Sequence, residues 1–104
     1  MRNDTLNGQL DSLILATIAY EPAHGYAVLQ RLKERSGGTF ELAEGTIYPA
    51  LHRLERDGLL KSSWSTEAGR RRRVYRITSS GQSALATRRR EWTVFSRAVE
   101  AVFA

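Results

Sequence analysis

Apolar residues recur along this chain in two rhythms, and the change from one to the other divides it. Leu6, Leu10, Leu13, Ile14, Thr17 and Ile18 follow one another at three- and four-residue steps, the spacing of one helix face. They predict an amphipathic helix from Asn7 to Tyr20, stopped by Pro22. His24-Gly25-Tyr26 is a turn into a second helix. Tyr26, Leu29 and Leu32 form its apolar stripe, Gln30, Arg31, Lys33 and Glu34 face out, and Gly37-Gly38 ends it. Phe40-Glu41-Leu42 alternates and predicts one short strand. Next, Ile47, Leu51 and Leu54 stand at i, i+4 and i+7 on the back of a third helix, whose front carries Thr46, Tyr48, His52, Arg53 and Arg56. Gly58 ends this helix at a left-handed position. Pro49 is harmless in its first turn if Thr46 is the cap. If the helix starts near Ala43, Pro49 conflicts with the Gly45 carbonyl and distorts the first turn, and this is the expected arrangement.

After Gly58 the rhythm becomes two-fold. Leu60, Ser62, Trp64 and Thr66 share one face of a strand; Arg73, Tyr75 and Ile77 share a face of the next. Between them Glu67-Ala68-Gly69-Arg70-Arg71 reads as a hairpin loop, placing Arg70 to Arg73 at its tip and at the start of the return strand. Thr78 then suits the cap of a last helix. On it Leu85, Trp92 and Val99 are seven apart, as are Phe95 and Val102. This is an a/d seam, broken by Arg88, that suits burial on a second copy. The predicted fold is therefore mainly α with a small β-hairpin: a winged helix-turn-helix over residues 1–78 and a C-terminal dimerisation helix over 79–104, in one continuous structural unit.

Charge sharpens this picture. In 104 residues, 16 Lys and Arg face 11 Asp and Glu, a net charge of +5, which favours an anionic partner and nucleic acid first. There is no cysteine, so disulfide frameworks and cysteine-held metals are excluded. No run nears the ~20 apolar residues of a membrane span, and Met1 to Thr5 lead into a helical pattern and not a signal peptide; a soluble, cytoplasmic protein is expected. His24 and His52, the only histidines, have no carboxylate at metal-ligand spacing. No metal, cofactor or catalytic constellation is expected, and an enzyme is rejected.

The third helix has an apolar back and a basic, hydroxyl-bearing front, as a major-groove reading helix needs. Thr46 and Tyr48 lie near its N-terminus, where hydroxyls and backbone N–H groups meet phosphate; Arg53 suits a guanine edge and His52 a single hydrogen bond. Tyr26 opens the helix that crosses the backbone in this motif, so it either bonds phosphate or packs against helix three. Arg70, Arg71, Arg72 and Arg73 suit sequence-independent attraction to phosphate, two or three of them on one side. A winged helix can also dock a protein, but such a wing would not need four consecutive arginines.

The ordered set His24-Gly25-Tyr26, Gly45-Thr46-Ile47-Tyr48-Pro49-Ala50-Leu51-His52-Arg53-Leu54-Glu55, Gly58-Leu59-Leu60 and Gly69 through Gly81 resembles the PadR family of bacterial transcriptional regulators over nearly the whole chain. The single short C-terminal helix is similar to that of the smaller, multidrug-binding members. Two positions depart from the pattern: Arg72-Arg73-Val74 replaces a more usual basic-aromatic mix, and Ala43 stands where a polar cap is common. The resemblance implies a homodimeric repressor on an inverted-repeat operator of double-stranded DNA, released in some members by phenolic acids or flat aromatic drugs. It further implies that symmetry-related copies of Trp92, with Phe95 beside it, sandwich a planar aromatic molecule; the other reading of Trp92 is an anchor in a dry dimer core. Trp64 reads as wing packing.

Overall fold

The computed structural model describes residues 9–104; the predicted start of the first helix at Asn7, and Leu6 in its stripe, lie outside them. The elements run α1 (Leu10–Tyr20), α2 (Gly25–Arg35), α3 (Glu44–Arg56), β1 (Leu60–Glu67), β2 (Arg70–Ile77) and α4 (Ser79–Phe103). Three helices followed by an antiparallel hairpin and a long helix form a winged helix-turn-helix with a C-terminal extension.

The centre of the core is α1. Ile14, Leu15 and Ile18 are sealed from solvent, and Leu10, Leu13, Ala16 and Ala19 pack around them. Apolar side chains thus occupy most of its circumference, and it is covered by α2, α3, β2 and α4 rather than lying on one face of the fold. Thr17, the one buried polar residue among those described, donates its hydroxyl to the Leu13 carbonyl at 2.8 Å, which satisfies the group where water is excluded. Val28 and Leu32 of α2 and Ile47, Ala50, Leu51 and Leu54 of α3 complete the core with Leu60, Tyr75 and Leu85.

His24 caps α2 by accepting the Ala27 N–H on Nδ1 at 3.2 Å. Gly37 and Gly38 end it with φ of +63° and +88°, values that glycine adopts without a Cβ penalty. The expected strand at Phe40–Leu42 is absent: these residues form an irregular connection, with the Phe40 N–H held by Ser36 Oγ at 2.9 Å. The free edge of β2 pairs instead with Ala23, through Ala23 N–H to Tyr75 O at 3.1 Å and Tyr75 N–H to Ala23 O at 2.8 Å. A three-residue alternation cannot name its partner; the edge went to the extended residue beside Pro22.

Helix α3 begins at Glu44, after an extended Ala43 that offers no side-chain cap. Pro49 therefore sits inside the helix and removes the N–H that would bond the Gly45 carbonyl. Gly45 is exposed, and no atom crowds a Cβ built there. Gly58, at φ +80°, closes the helix, with its N–H on Glu55 O at 3.0 Å and the Leu59 N–H on Leu54 O at 2.9 Å.

The hairpin is tighter than expected. β1 and β2 pair in unbroken register from Leu60↔Ile77 to Glu67↔Arg70. Only Ala68 and Gly69 turn, at φ +50° and +74°; positive φ at both central residues matches the twist of the strands. All four arginines therefore stand in β2, none in the turn. Thr78 caps α4, accepting the Gly81 N–H at 3.0 Å and donating to Gly58 O at 2.7 Å. Gly81 lies so close to the Leu59 carbonyl that a Cβ there would collide with it. At ~1.5 Å per residue the 25 residues of α4 span about 37 Å, and the molecule is 53 Å in its longest dimension.

Candidate nucleic-acid interface

Burial of Ile47, Ala50, Leu51 and Leu54 fixes how α3 is rotated. Its outermost line is Gly45, Pro49, His52 and Arg56, at i, i+4, i+7 and i+11, all exposed. The first half of that line carries no long side chain; the second half carries an imidazole and a guanidinium. Of the expected front, His52 points out, while Arg53 sits on a flank with its guanidinium paired to the Asp11 carboxylate of α1. For Arg53 to reach a base edge it must give up that pair. Arg56, one turn further along, is exposed and pairs only loosely with its neighbour Asp57, at 3.5 Å. Thr46 is half-buried on the Arg53 flank.

Tyr48 lies on the opposite flank, over the start of α2. A Cβ built on Gly25 would fall 2.5 Å from Tyr48 Cε1, so the glycine of His24-Gly25-Tyr26 is the seat for this ring. Its Cζ and hydroxyl lie 2.8 and 3.0 Å from the same point, and the residue is 37% exposed. Tyr26 is half-exposed, which excludes the reading that buries it against α3. Tyr26, Tyr48, His24 and Glu44 form one side of a groove of about 560 Å³, and Arg70 to Arg73 form the other. Four arginines, two tyrosines and one histidine line it, with Glu44 the single acidic residue. This wall of donors suits a polyanion better than any small neutral molecule.

The four arginines are not equivalent. Arg73 donates from Nε to Ser62 Oγ at 2.7 Å and lies 3.8 Å from the carboxylate of Glu55. Glu55 in turn accepts the Ser62 hydroxyl at 2.6 Å and the Ser62 N–H at 3.1 Å. This network ties α3 to both strands and sets the wing's position relative to the reading helix. Arg72 reaches His24 Nε2 at 2.7 Å. Arg71 lies over the Trp64 ring, and Arg70 makes no hydrogen bond or ion pair among the described residues. Burial and the adjacent charge of Arg72 hold the His24 imidazole below its ordinary pKa of 6.5, against a smaller opposing pull from Glu67. Burial, with the Glu55 carboxylate second, pushes the Tyr75 phenol above its usual 10.0, so it stays neutral in the core.

Along α4 the expected seam divides. Leu85 is 3% exposed in the single chain. Assigning it to a dimer seam is thus corrected: it fills the core beneath α1, and no partner can reach it. Trp92, Phe95 and Val102 are exposed and Val99 partly so. Trp92 and Phe95 lie ring to ring at 5.9 Å with a 40° tilt. They line a shallow recess of about 420 Å³ with Gln9, Ser12, Arg88 and Glu91. Arg88, which interrupts the seam, points back toward Ser12 Oγ at 3.5 Å.

Sequence reasoning set Arg56 on the helix front without giving it a contact of its own, and it gave none to His24 or Glu55. The signal for His24 was its place as the residue before a helix-opening Gly-Tyr pair; the signal for Arg56 was the i+4 step from His52. Nothing local marked Glu55, whose partners are supplied by the hairpin.

Helix-turn-helix, arginine wing and donor-lined groove together define a winged-helix protein. Residues 14–87 match the model of the PadR-like transcriptional regulator family, and the chain belongs to that family, whose members are regulators of transcription and not enzymes. It is 42% identical over 86 residues to Transcriptional regulator Rv3488 of Mycobacterium tuberculosis, covering 83% of this chain and 78% of that protein. Among solved structures it is similar to a transcriptional regulator from Clostridium thermocellum, with TM-score 0.86 and 28% identity over 93% of this chain and 95% of that one. A PadR family transcription regulator from Clostridium difficile superposes with TM-score 0.81 and 31% identity, covering 90% of this chain and 97% of that one. No helix among the described residues is long and apolar enough to cross a membrane.

Proposed function

We propose that two copies of this chain bind an inverted-repeat DNA operator and repress transcription from it, one α3 entering the major groove of each half-site. The observation that carries this reading is the groove between α3 and β2, where arginines and phenols converge beside an outward helix line ending in His52 and Arg56. In it His52 and Arg56 meet base edges, Arg53 joins them on release from Asp11, and Tyr26, Thr46 and Tyr48 bond phosphates beside the helix. Arg70 and Arg71 grip flanking backbone. Arg72 and Arg73, already engaged, contribute charge and shape.

The second copy docks on the far half of α4. Trp92, Phe95, Val99 and Val102 form an apolar stripe that is costly in water, at ~25 cal/mol per Å², and aromatic residues are favoured in such interfaces. The division of the chain into residues 1–78 and 79–104 then separates DNA contact from pairing, although Leu85 roots the second part in the first. A planar aromatic effector fits the recess beside Trp92 and Phe95, and it regulates only if it favours one spacing of the two α3 helices over another.

The test is a mobility-shift titration on duplexes selected from a randomised library, at two salt concentrations. Wild type prefers a selected two-fold site to its scrambled version, and Arg56→Ala loses about 1–3 kcal/mol of that preference. Equal affinity for both duplexes sinks specific repression, and no retention on duplex DNA at low salt favours a protein-docking wing. Tryptophan fluorescence titrated with flat aromatic compounds, compared between wild type and Trp92→Ala, tests the effector: quenching lost in the variant supports the recess, and no quenching by any compound favours a dry core.

A further inference from the structure

The outer half of the wing carries an exposed tryptophan. Trp64 is 56% exposed and stands directly across from Arg73, with Arg71 on the next diagonal of the same face. The Arg71 guanidinium carbon lies 4.5 Å from the ring centroid and that of Arg73 5.5 Å. Both guanidinium groups thus contact one indole, but only Arg73 is also held by Ser62 and Glu55. A solvent-facing indole on a hairpin arm costs solubility, and the burial of a core residue does not explain it. A guanidinium over an aromatic ring is attracted through the ring's face, and stacking leaves its N–H donors available to a carboxylate or phosphate. A lone arginine on a strand must surrender rotamer freedom when it grips phosphate; one already resting on an indole has surrendered much of it beforehand.

We infer that Trp64 is a positioning residue for DNA binding: it holds the Arg71 guanidinium extended beside the groove, so that its donors meet the phosphate backbone without further ordering. This rests on the DNA-binding function proposed above. The residue bears no charge, so it changes affinity without changing the number of phosphates neutralised. Arg71 is the group that makes the contact, and Trp64 acts through it.

The experiment is a salt titration of duplex binding by fluorescence anisotropy, using the full chain and a labelled duplex. Trp64→Leu, which keeps apolar bulk but lacks the ring, weakens binding about two- to fivefold, the worth of an exposed cation–π contact, with the salt slope unchanged. Trp64→Tyr restores most of the affinity. Arg71→Ala weakens binding and flattens the slope, and Trp64→Leu added to Arg71→Ala costs nothing more. Wild-type affinity in Trp64→Leu overturns the inference, as does a double variant whose loss is the product of the two single losses, or a Trp64→Tyr protein as weak as Trp64→Leu. If wild type itself shows no salt-dependent duplex binding, DNA binding fails and this inference with it; if wild type binds and the Trp64 variants match it, only the inference fails.

Discussion

The hairpin and α4 share one plan, a buried root and an exposed end, and the two ends of each obey different rules. At the roots Leu60, Tyr75 and Leu85 are sealed in the core and Gly81 lies against the Leu59 carbonyl. At the far ends stand Trp64, Arg70 and Arg71 on the hairpin and Trp92, Phe95 and Val102 on the helix, all exposed. A root holds the fold together; an end has little to lose inside the subunit and much to offer a partner. The same residue types change meaning between them: the leucine of the α4 stripe is core, while the valine seventeen positions on is surface.

The largest expected effect lies at a root. Leu85→Ala leaves a cavity beneath α1 and lowers unfolding free energy by about 2–5 kcal/mol in urea titration; a loss under ~0.5 kcal/mol would erase the distinction between root and end. At the end of the hairpin, Arg70→Ala with Arg71→Ala is expected to weaken binding to all duplexes roughly tenfold and to reduce the salt slope by about two contacts, with stability unchanged. Arg73→Ala sharpens the contrast, because its hydrogen bond to Ser62 is internal; it lowers stability by about 1 kcal/mol and moves the salt slope less. Phe95→Ala at the end of α4 shifts sedimentation toward monomer while altering the unfolding of dilute protein by less than about 0.5 kcal/mol; an unchanged oligomeric state would remove α4 from the interface.

The smallest effect is one of pH. The folded-state pKa of His24 lies below the 6.5 of the unfolded chain, so between the two the unfolded state binds the proton first. Stability is complete above pH 6.5 and falls as pH drops through that window. Protonation also adds charge to the groove beside Arg72, so duplex affinity rises over the same range. His24→Gln removes both slopes, and parallel rather than opposite slopes in wild type would refute this account.

How much was legible in the chain depends on how far away the deciding partner stood. Periodicity placed the back of α3, and the caps at Thr78 and Gly58 could be read because every atom that makes them lies within a few residues. Arg53 and Arg56 look alike on the same helix front; Asp11, 42 positions away, engages the first and not the second. The alternation at Phe40–Leu42 suggested a strand, but it is Ala23 that bridges to Tyr75 of β2. The seven-residue spacing from Leu85 to Trp92 is the same whether the stripe is covered by α1 or by a second subunit.

By itself the sequence determined the four helices and the hairpin, their order, the basic wing and the family's motifs, since helical and strand periods, caps and charge are properties of neighbouring residues. Tertiary structure decided which side chains remain available: Leu85 withdrawn into the core, Arg53 taken by Asp11, Arg73 bound into the Glu55–Ser62 network, Arg70 left open and Arg71 resting on Trp64. The reason is physical. Local rules set where a side chain points from its own backbone, but burial and pairing depend on what the rest of the chain brings to meet it.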